Sequence, residues 1–308
     1  MILVGGFNTA LDKLATTDTI EAGGVLRLRT VRTLPGGKGL HVALACATLG
    51  VPATLVGLID DSSRTLFETT LSRAGAKFVG VKADESIRIC YALRDPEGRT
   101  TELLEPGPSL TPAIAATLLN AFRREAAGAA VVVLSGSLPP GLPADTYATL
   151  IAEVGPDRVL LDSSGAALEA GMAAAPMLVK PNRQEAEQIV GFPIASMADA
   201  ARAAAAIGSR GPRYVVVSLG AEGAVVRTSD KVLHVRAPIA NARNTVGAGD
   251  CLLAGFAIGL SRGWPIEQCG RYAVACGTAK VTHPETGMLA SAEVEDLARA
   301  VSVTALAA

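Results

Sequence analysis

Aromatic residues are scarce, charge of either sign is nearly balanced, and histidine occurs only three times. Each shortage excludes something. Aromatics make up 4% of the 308 residues, so the 49% hydrophobic content comes mainly from Ala, Val and Leu, which suits close packing of helices on a sheet. A formal net charge of -1 with 19% charged residues gives no global attraction to nucleic acid or acidic membranes, and it argues against a disordered chain. Any anion site must be local. His41, His234 and His283 lie far apart with no H-E-x-x-H spacing, so a zinc or haem site is not expected. Cys46, Cys90, Cys251, Cys269 and Cys276 are odd in number and form no C-x-x-C pair, which fits buried free thiols in a reducing compartment. No apolar run reaches the roughly 20 residues of a membrane span. The opening MILVGGFNTALDK lacks a basic leader before a long apolar core, so no signal peptide is expected and the default location is cytoplasmic.

Short apolar, β-branched runs alternate with Ala/Leu-rich helical stretches. Strands are expected at Ile2–Val4, Ala53–Leu58, Val131–Leu134, Arg158–Asp162, Met177–Lys180 and Tyr214–Leu219. Helices are expected at His41–Leu49, Pro112–Glu125, Ala144–Glu153, Arg183–Val190 and Met197–Ser209, and a last one, Ala292–Leu306, closes the chain. Continuous apolar strands such as VVVL suit a parallel sheet covered on both faces, and the rhythm implies an open, doubly wound α/β fold. Val25–Thr33, Ile87–Leu93 and Arg99–Leu104 alternate instead. They read as amphipathic antiparallel strands of a small separate sheet, a lid over a site, a dimer surface, or both.

Five motifs carry possible chemistry. Asn244-Thr-Val-Gly-Ala-Gly-Asp250 precedes an apolar helix with Leu253, Phe256, Ala257 and Leu260 at helical spacing. Gly247, Ala248 and Gly249 then sit at a helix N-terminus, where unpaired amides and the dipole favour an anion. Asp250 beside that anion can take the proton of an attacking hydroxyl, or it can simply favour the helix start. Pro35-Gly-Gly-Lys-Gly-Leu-His41 offers close backbone approach and the cation Lys38, or a plain loop-to-helix turn. In Lys180-Pro-Asn-Arg-Gln-Glu185, Asn182 and Glu185 have the spacing of a capping box, and the same geometry projects both toward Mg²⁺-bound water. Ser218-Leu-Gly-Ala-Glu-Gly223 is a hairpin turn or a loop lying on a nucleotide. Arg27, Lys38 and Arg88 converge if the lid closes over the glycine-rich turn, and arginine suits a phosphate that is not transferred.

Together these motifs resemble the ribokinase-like (PfkB-type) carbohydrate kinases over nearly the whole chain, in the order NTALD, GGKG, SGSLPPG, VKPNRQE, SLGAEGA and TVGAGD. Within that family the sequence is most similar to the phosphofructokinase and tagatose-phosphate kinase branch. The resemblance implies one ribokinase-like domain over 1–308, with lid strands inserted near 8–33 and 86–105 and a homodimer formed through the lid. It implies ATP-dependent transfer to a ketohexose phosphate: fructose 6-phosphate, fructose 1-phosphate or tagatose 6-phosphate. Asp250 would be the base, and Gly247, Ala248 and Gly249 the anion hole. Asp12, Gly37, Lys38 and His41 would face the sugar, and Arg27, Arg88 and Ser137 its phosphate. Lys180, Asn182, Ser218, Gly220 and Gly223 would line ATP, with Asn182 and Glu185 organising Mg²⁺ through water; a monovalent cation is a further possible ligand. Three departures stand out: Thr9 replaces the usual Pro, His41 the usual Asn, and Cys251 the usual Ser. Two other readings stay open. One is a kinase of an unphosphorylated sugar or nucleoside, against which Arg27 and Arg88 speak; the other is a non-catalytic sugar-phosphate or nucleotide sensor.

Overall fold

A computed structural model describes residues 1–238, 244–283 and 287–306. Its strands in chain order are β1 (Ile2–Gly5), β2 (Ala10–Thr16), β3 (Thr30–Gly36), β4 (Ala53–Ile59), β5 (Lys77–Lys82), β6 (Arg88–Arg94), β7 (Thr100–Leu104), β8 (Val131–Ser135), β9 (Val159–Asp162), β10 (Leu178–Val179), β11 (Tyr214–Ser218), β12 (Ala224–Arg227), β13 (Val232–Arg236) and β14 (Ser302–Leu306). A ten-stranded sheet runs β14-β13-β12-β11-β10-β9-β8-β1-β4-β5, and a four-stranded sheet runs β3-β2-β6-β7. From β11 through β5 every neighbouring pair is parallel, and β12 to β14 add an antiparallel edge. Every residue of β1, β4, β8 and β9 is buried, as strands covered on both faces require. No helix among the described residues is long and apolar enough to cross a membrane.

Chain order reverses around β1, which lies between β4 and β8. That is the switch point at which open α/β sheets leave a crevice beyond their strand ends. The core reaches up to this crevice. Phe7 packs edge-on against Phe122 (5.4 Å between centroids) and stacks on Tyr147 (5.9 Å). Burying each such ring contributes roughly 1.5–3 kcal/mol. The Tyr147 hydroxyl donates to Gly136 O (3.1 Å), so the aromatic cluster also anchors the turn that presents Ser137.

Three expectations need correction. The strand expected over Val25–Thr33 begins only at Thr30, because β2, its pairing partner, ends at Thr16 opposite Thr30. Residues before it form a connection in which Val25 is 82% exposed, so the alternation there marks no buried face. The small sheet is not wholly antiparallel. The chain leaves the large sheet twice in the same direction, after β1 and after β5, so β2 and β6 run parallel. The expected Ala292–Leu306 helix stops at Ala300, and Ser302–Leu306 becomes β14. Val303 and Thr304 are β-branched, and the free edge of β13 accepts them.

Candidate active site

A cleft of about 970 Å³ lies beyond the carboxyl ends of β8 to β11, with the small sheet over it. Period-2 alternation aims one face of that sheet into the cleft: Asp12 and Leu14 from β2, Arg88, Cys90 and Ala92 from β6, and Thr100, Glu102 and Leu104 from β7. The register sets Asp12 beside Cys90 and Cys90 beside Leu104, so Asp12 projects from the middle of the sheet. Its carboxyl group needs a glycine at position 36, diagonally across on β3. A Cβ on Gly36 would lie 2.1 Å from Asp12 Cγ.

Lys38 opens the Lys38–Thr48 helix directly after Gly37, whose φ of +99° belongs to the region glycine favours. Its Nζ lies 3.2 Å from Asp162 Oδ1 and 3.8 Å from Glu185 Oε1. Arg88 reaches the cleft from β6, its guanidinium donating to the carbonyls of Asn8 (3.2 Å) and Glu105 (3.3 Å). Asn8 Nδ2 in turn donates to Ser137 Oγ (3.0 Å), which ties Arg88 and Ser137 into one polar cluster.

Gly247 caps the Ala248–Ser261 helix with φ of +82°, which turns the following amides toward the cleft. The Ala248 N–H is engaged with Thr245 O (3.2 Å). The amides of Gly249 and Asp250 belong to the first turn, which a helix cannot pair internally, and they remain to bind an anion. A Cβ on Gly249 would sit 3.5 Å from Lys180 Nζ, so a lysine stands next to this cradle. The helix holds its place because Gly255 and Gly259 let it approach the Ile266–Thr282 helix closely. A Cβ on Gly255 would lie 2.5 Å from Ala273 Cα.

His41 departs most from expectation. It is 3% exposed, and rather than facing only the sugar it bridges two carboxylates. Nδ1 is 2.8 Å from Asp250 Oδ2, and Nε2 is 3.2 Å from Asp12 Oδ2. The second contact is close enough for ion pairing but off-line for a hydrogen bond, so Nε2 keeps donor capacity beside the cleft. Burial disfavours the imidazolium, but the hydrogen bond with Asp250 and the charges of Asp12 and Asp250 outweigh it and raise its pKa to about 10.

Further along the cleft, Lys180 follows β10, and Ser218 ends β11. Ser218 N donates to Pro181 O (3.0 Å), which keeps the two strand ends together. The turn Gly220–Glu222 closes through Leu219 N to Gly223 O (2.8 Å), and Gly220 and Gly223 line the cleft. Asn182 and Glu185 form the capping box of the Arg183–Val190 helix, with 2.8 Å bonds in both directions. Those bonds occupy Asn182 Oδ1 and Glu185 Oε2. Glu185 Oε1 stays directed at Lys38, a sparse donor set that suits a magnesium ion keeping its waters and arriving with ATP.

Arg27 is not brought to the cleft. It lies exposed on the connection before β3, because the strand expected to carry it does not form there. Asp162 was missed as a functional candidate. It is fully buried, with Lys180 Nζ 3.1 Å from Oδ2 and Lys38 Nζ 3.2 Å from Oδ1. Burial alone would raise its pKa, but the two ammonium groups hold it below the ordinary carboxylate value. Its position at the carboxyl end of a parallel strand was the available signal.

A family model described as "pfkB family carbohydrate kinase" matches residues 3–292. The 1-phosphofructokinase of Xanthomonas campestris is 34% identical, over 97% of this chain and 96% of its own length. The ATP-dependent 6-phosphofructokinase isozyme 2 of Mycobacterium tuberculosis is 33% identical, over 94% and 86%. Among solved structures, phosphofructokinase-2 of Escherichia coli in complex with substrates and products superposes with a TM-score of 0.86 at 28% identity, covering 97% of this chain and 98% of that one. These similarities span the whole cleft, from Asp12 to Asp250, and the chain belongs to the pfkB family of carbohydrate kinases.

Proposed function

We propose that this sugar-phosphate kinase transfers the γ-phosphoryl group of Mg·ATP to a hydroxyl of fructose 1-phosphate. The observation that carries the chemistry is the Asp250 carboxylate, set 2.8 Å from His41 in the first turn of a helix whose free amides face the same cleft. The choice of acceptor follows relatives named 1-phosphofructokinase at 29–34% identity over nearly the full chain.

In this reading Asp12, Gly37 and Lys38 bind the sugar hydroxyls, and Arg88 with Ser137 holds the phosphate already present. Lys180, Asn182, Ser218, Gly220 and Gly223 receive ATP, and Glu185 orients the magnesium-bound water. Asp250 takes the proton as the acceptor oxygen attacks the γ-phosphorus; the bond to the β-phosphate oxygen breaks, and ADP leaves. The Gly249 and Asp250 amides and Lys180 stabilise charge on the transferring group, with Gly247 and Ala248 shaping the turn. Asp162 holds both lysines in place. The small sheet acts as a lid inserted into a single domain, excluding water once substrates are bound. Its exposed side and the preceding connection carry Ile20, Val25, Leu28, Val31 and Leu103, a patch suited to a second copy of the chain. The free thiols fit a cytoplasmic setting.

The test is ADP release from Mg·ATP for wild type and Asp250→Ala against fructose 1-phosphate, fructose 6-phosphate, tagatose 6-phosphate, free sugars and nucleosides. Fructose 1-phosphate should give the highest kcat/KM. Asp250→Ala should still bind substrates and lose about 10²–10⁴-fold in kcat. Preference for a free sugar would remove the phosphate role from Arg88, and near-normal turnover by the variant would remove the base.

A further inference from the structure

Lys280 is a buried charge that the proposed reaction leaves unused. It sits in the last turn of the Ile266–Thr282 helix and is 0% exposed. An ammonium in such a place costs several kcal/mol unless its charge is answered. Among the described residues no carboxylate pairs with it. Its Nζ instead donates to two main-chain carbonyls, Asn244 O at 3.1 Å and His283 O at 3.2 Å. Burial holds its pKa below the ordinary lysine value, with the neighbouring Cys251 thiol opposing.

These carbonyls lie at the root of the anion cradle. Asn244 opens the segment that ends at Asp250; its Oδ1 accepts from Val246 N (3.0 Å), and its own N–H donates to Val281 O (3.2 Å). The helix bearing Lys280 touches the cradle as well, since a Cβ on Gly277 would come within 3.1 Å of Ala248 O. A compact monovalent charge held by backbone carbonyls in a water-poor site is the coordination expected of a potassium or ammonium ion. Here the charge is covalently attached to the chain.

We propose that the Lys280 ammonium is a tethered monovalent cation, a positioning residue that fixes the Asn244 and His283 carbonyls and so holds the phosphoryl cradle in shape without any dissolved cation. The proposal rests on the kinase reading of that cradle. It makes turnover independent of potassium, because the site a free cation would fill is already occupied by the side chain.

Turnover of a hexose phosphate and titration calorimetry of Mg·ATP are measured in choline buffer and in potassium buffer, for wild type and Lys280→Met. Wild type should be indifferent to the exchange. Lys280→Met should lose about tenfold or more in kcat in choline. It should recover with potassium or ammonium, its melting temperature rising with the same ions. Activation of wild type by potassium of about tenfold, an unimpaired variant, or a loss that neither ion rescues would each overturn the proposal. If Lys280→Met is insoluble, Lys280→Gln keeps a donor without the charge and takes its place. Wild type inactive on every hexose phosphate would defeat the kinase reading instead, and the melting response of the variant would still decide whether a cation fits between the two carbonyls.

Discussion

An imidazole held between two carboxylates has a titration that reports on both. His41 binds its second proton more tightly in the folded chain than in the unfolded one, since its pKa is about 10 against an ordinary 6.5. The stability it contributes is therefore fully present below pH 6.5 and declines as pH rises toward about 10. Replacing it with Asn, the residue usual in the family, removes this slope. The gap in melting temperature between wild type and His41→Asn should be widest below pH 6.5 and should shrink by pH 10. A gap that stays constant over that range would show that His41 is not an imidazolium in the fold. The spare Nε2–H of this imidazole can turn to a bound hydroxyl.

At the scale of single elements, the junction of β3 with the Lys38–Thr48 helix shows how one missing side chain shapes the site. Gly36→Ala would drive a methyl group into the Asp12 carboxylate. Displacing that group by about 1 Å should cost about 10²-fold in kcat/KM. Kinetics on the preferred sugar phosphate would check this, and a variant with normal kcat/KM would show that Asp12 does not bind the acceptor. Much at this scale was legible in the sequence. Val131–Leu134 reads as a strand because burial on both faces leaves an unbroken apolar run, and TVGAGD reads as a cradle because its glycines meet helical periodicity. Other features depended on partners far along the chain. The strand expected to carry Arg27 was placed too early because the length of β2 decides where β3 begins. The β14 segment was misread because only the edge of β13 makes it a strand. Asp162 acquires its role from lysines at positions 38 and 180, and His41 from carboxylates at 12 and 250, pairings that no local pattern contains.

For the whole molecule, the small sheet joins two demands: one face lines the cleft, while the other leaves Val31 and Leu103 at 48% and 53% exposure. An apolar patch in that position is expected to pair with its copy. Leu103→Asp should shift the sedimentation of the purified protein from dimer toward monomer. Its KM for the sugar phosphate should rise more than kcat falls, because the lid that carries Arg88 would lose its support. Wild type sedimenting as a monomer at assay concentration would remove the dimer from the account.

The cleft draws its groups from the chain in a fixed order, Asp12 and Lys38 first, then Arg88, Asp162 and Lys180, with the cradle and Asp250 near the end. During translation, a nascent chain that has emerged only through β13 holds both lysines and Asp12 but neither the Gly247–Gly249 turn nor Asp250. The buried imidazole of His41 then has only one of its two carboxylates, so the polar centre of the cleft is completed only as the Ala248–Ser261 helix packs against the Lys38–Thr48 helix.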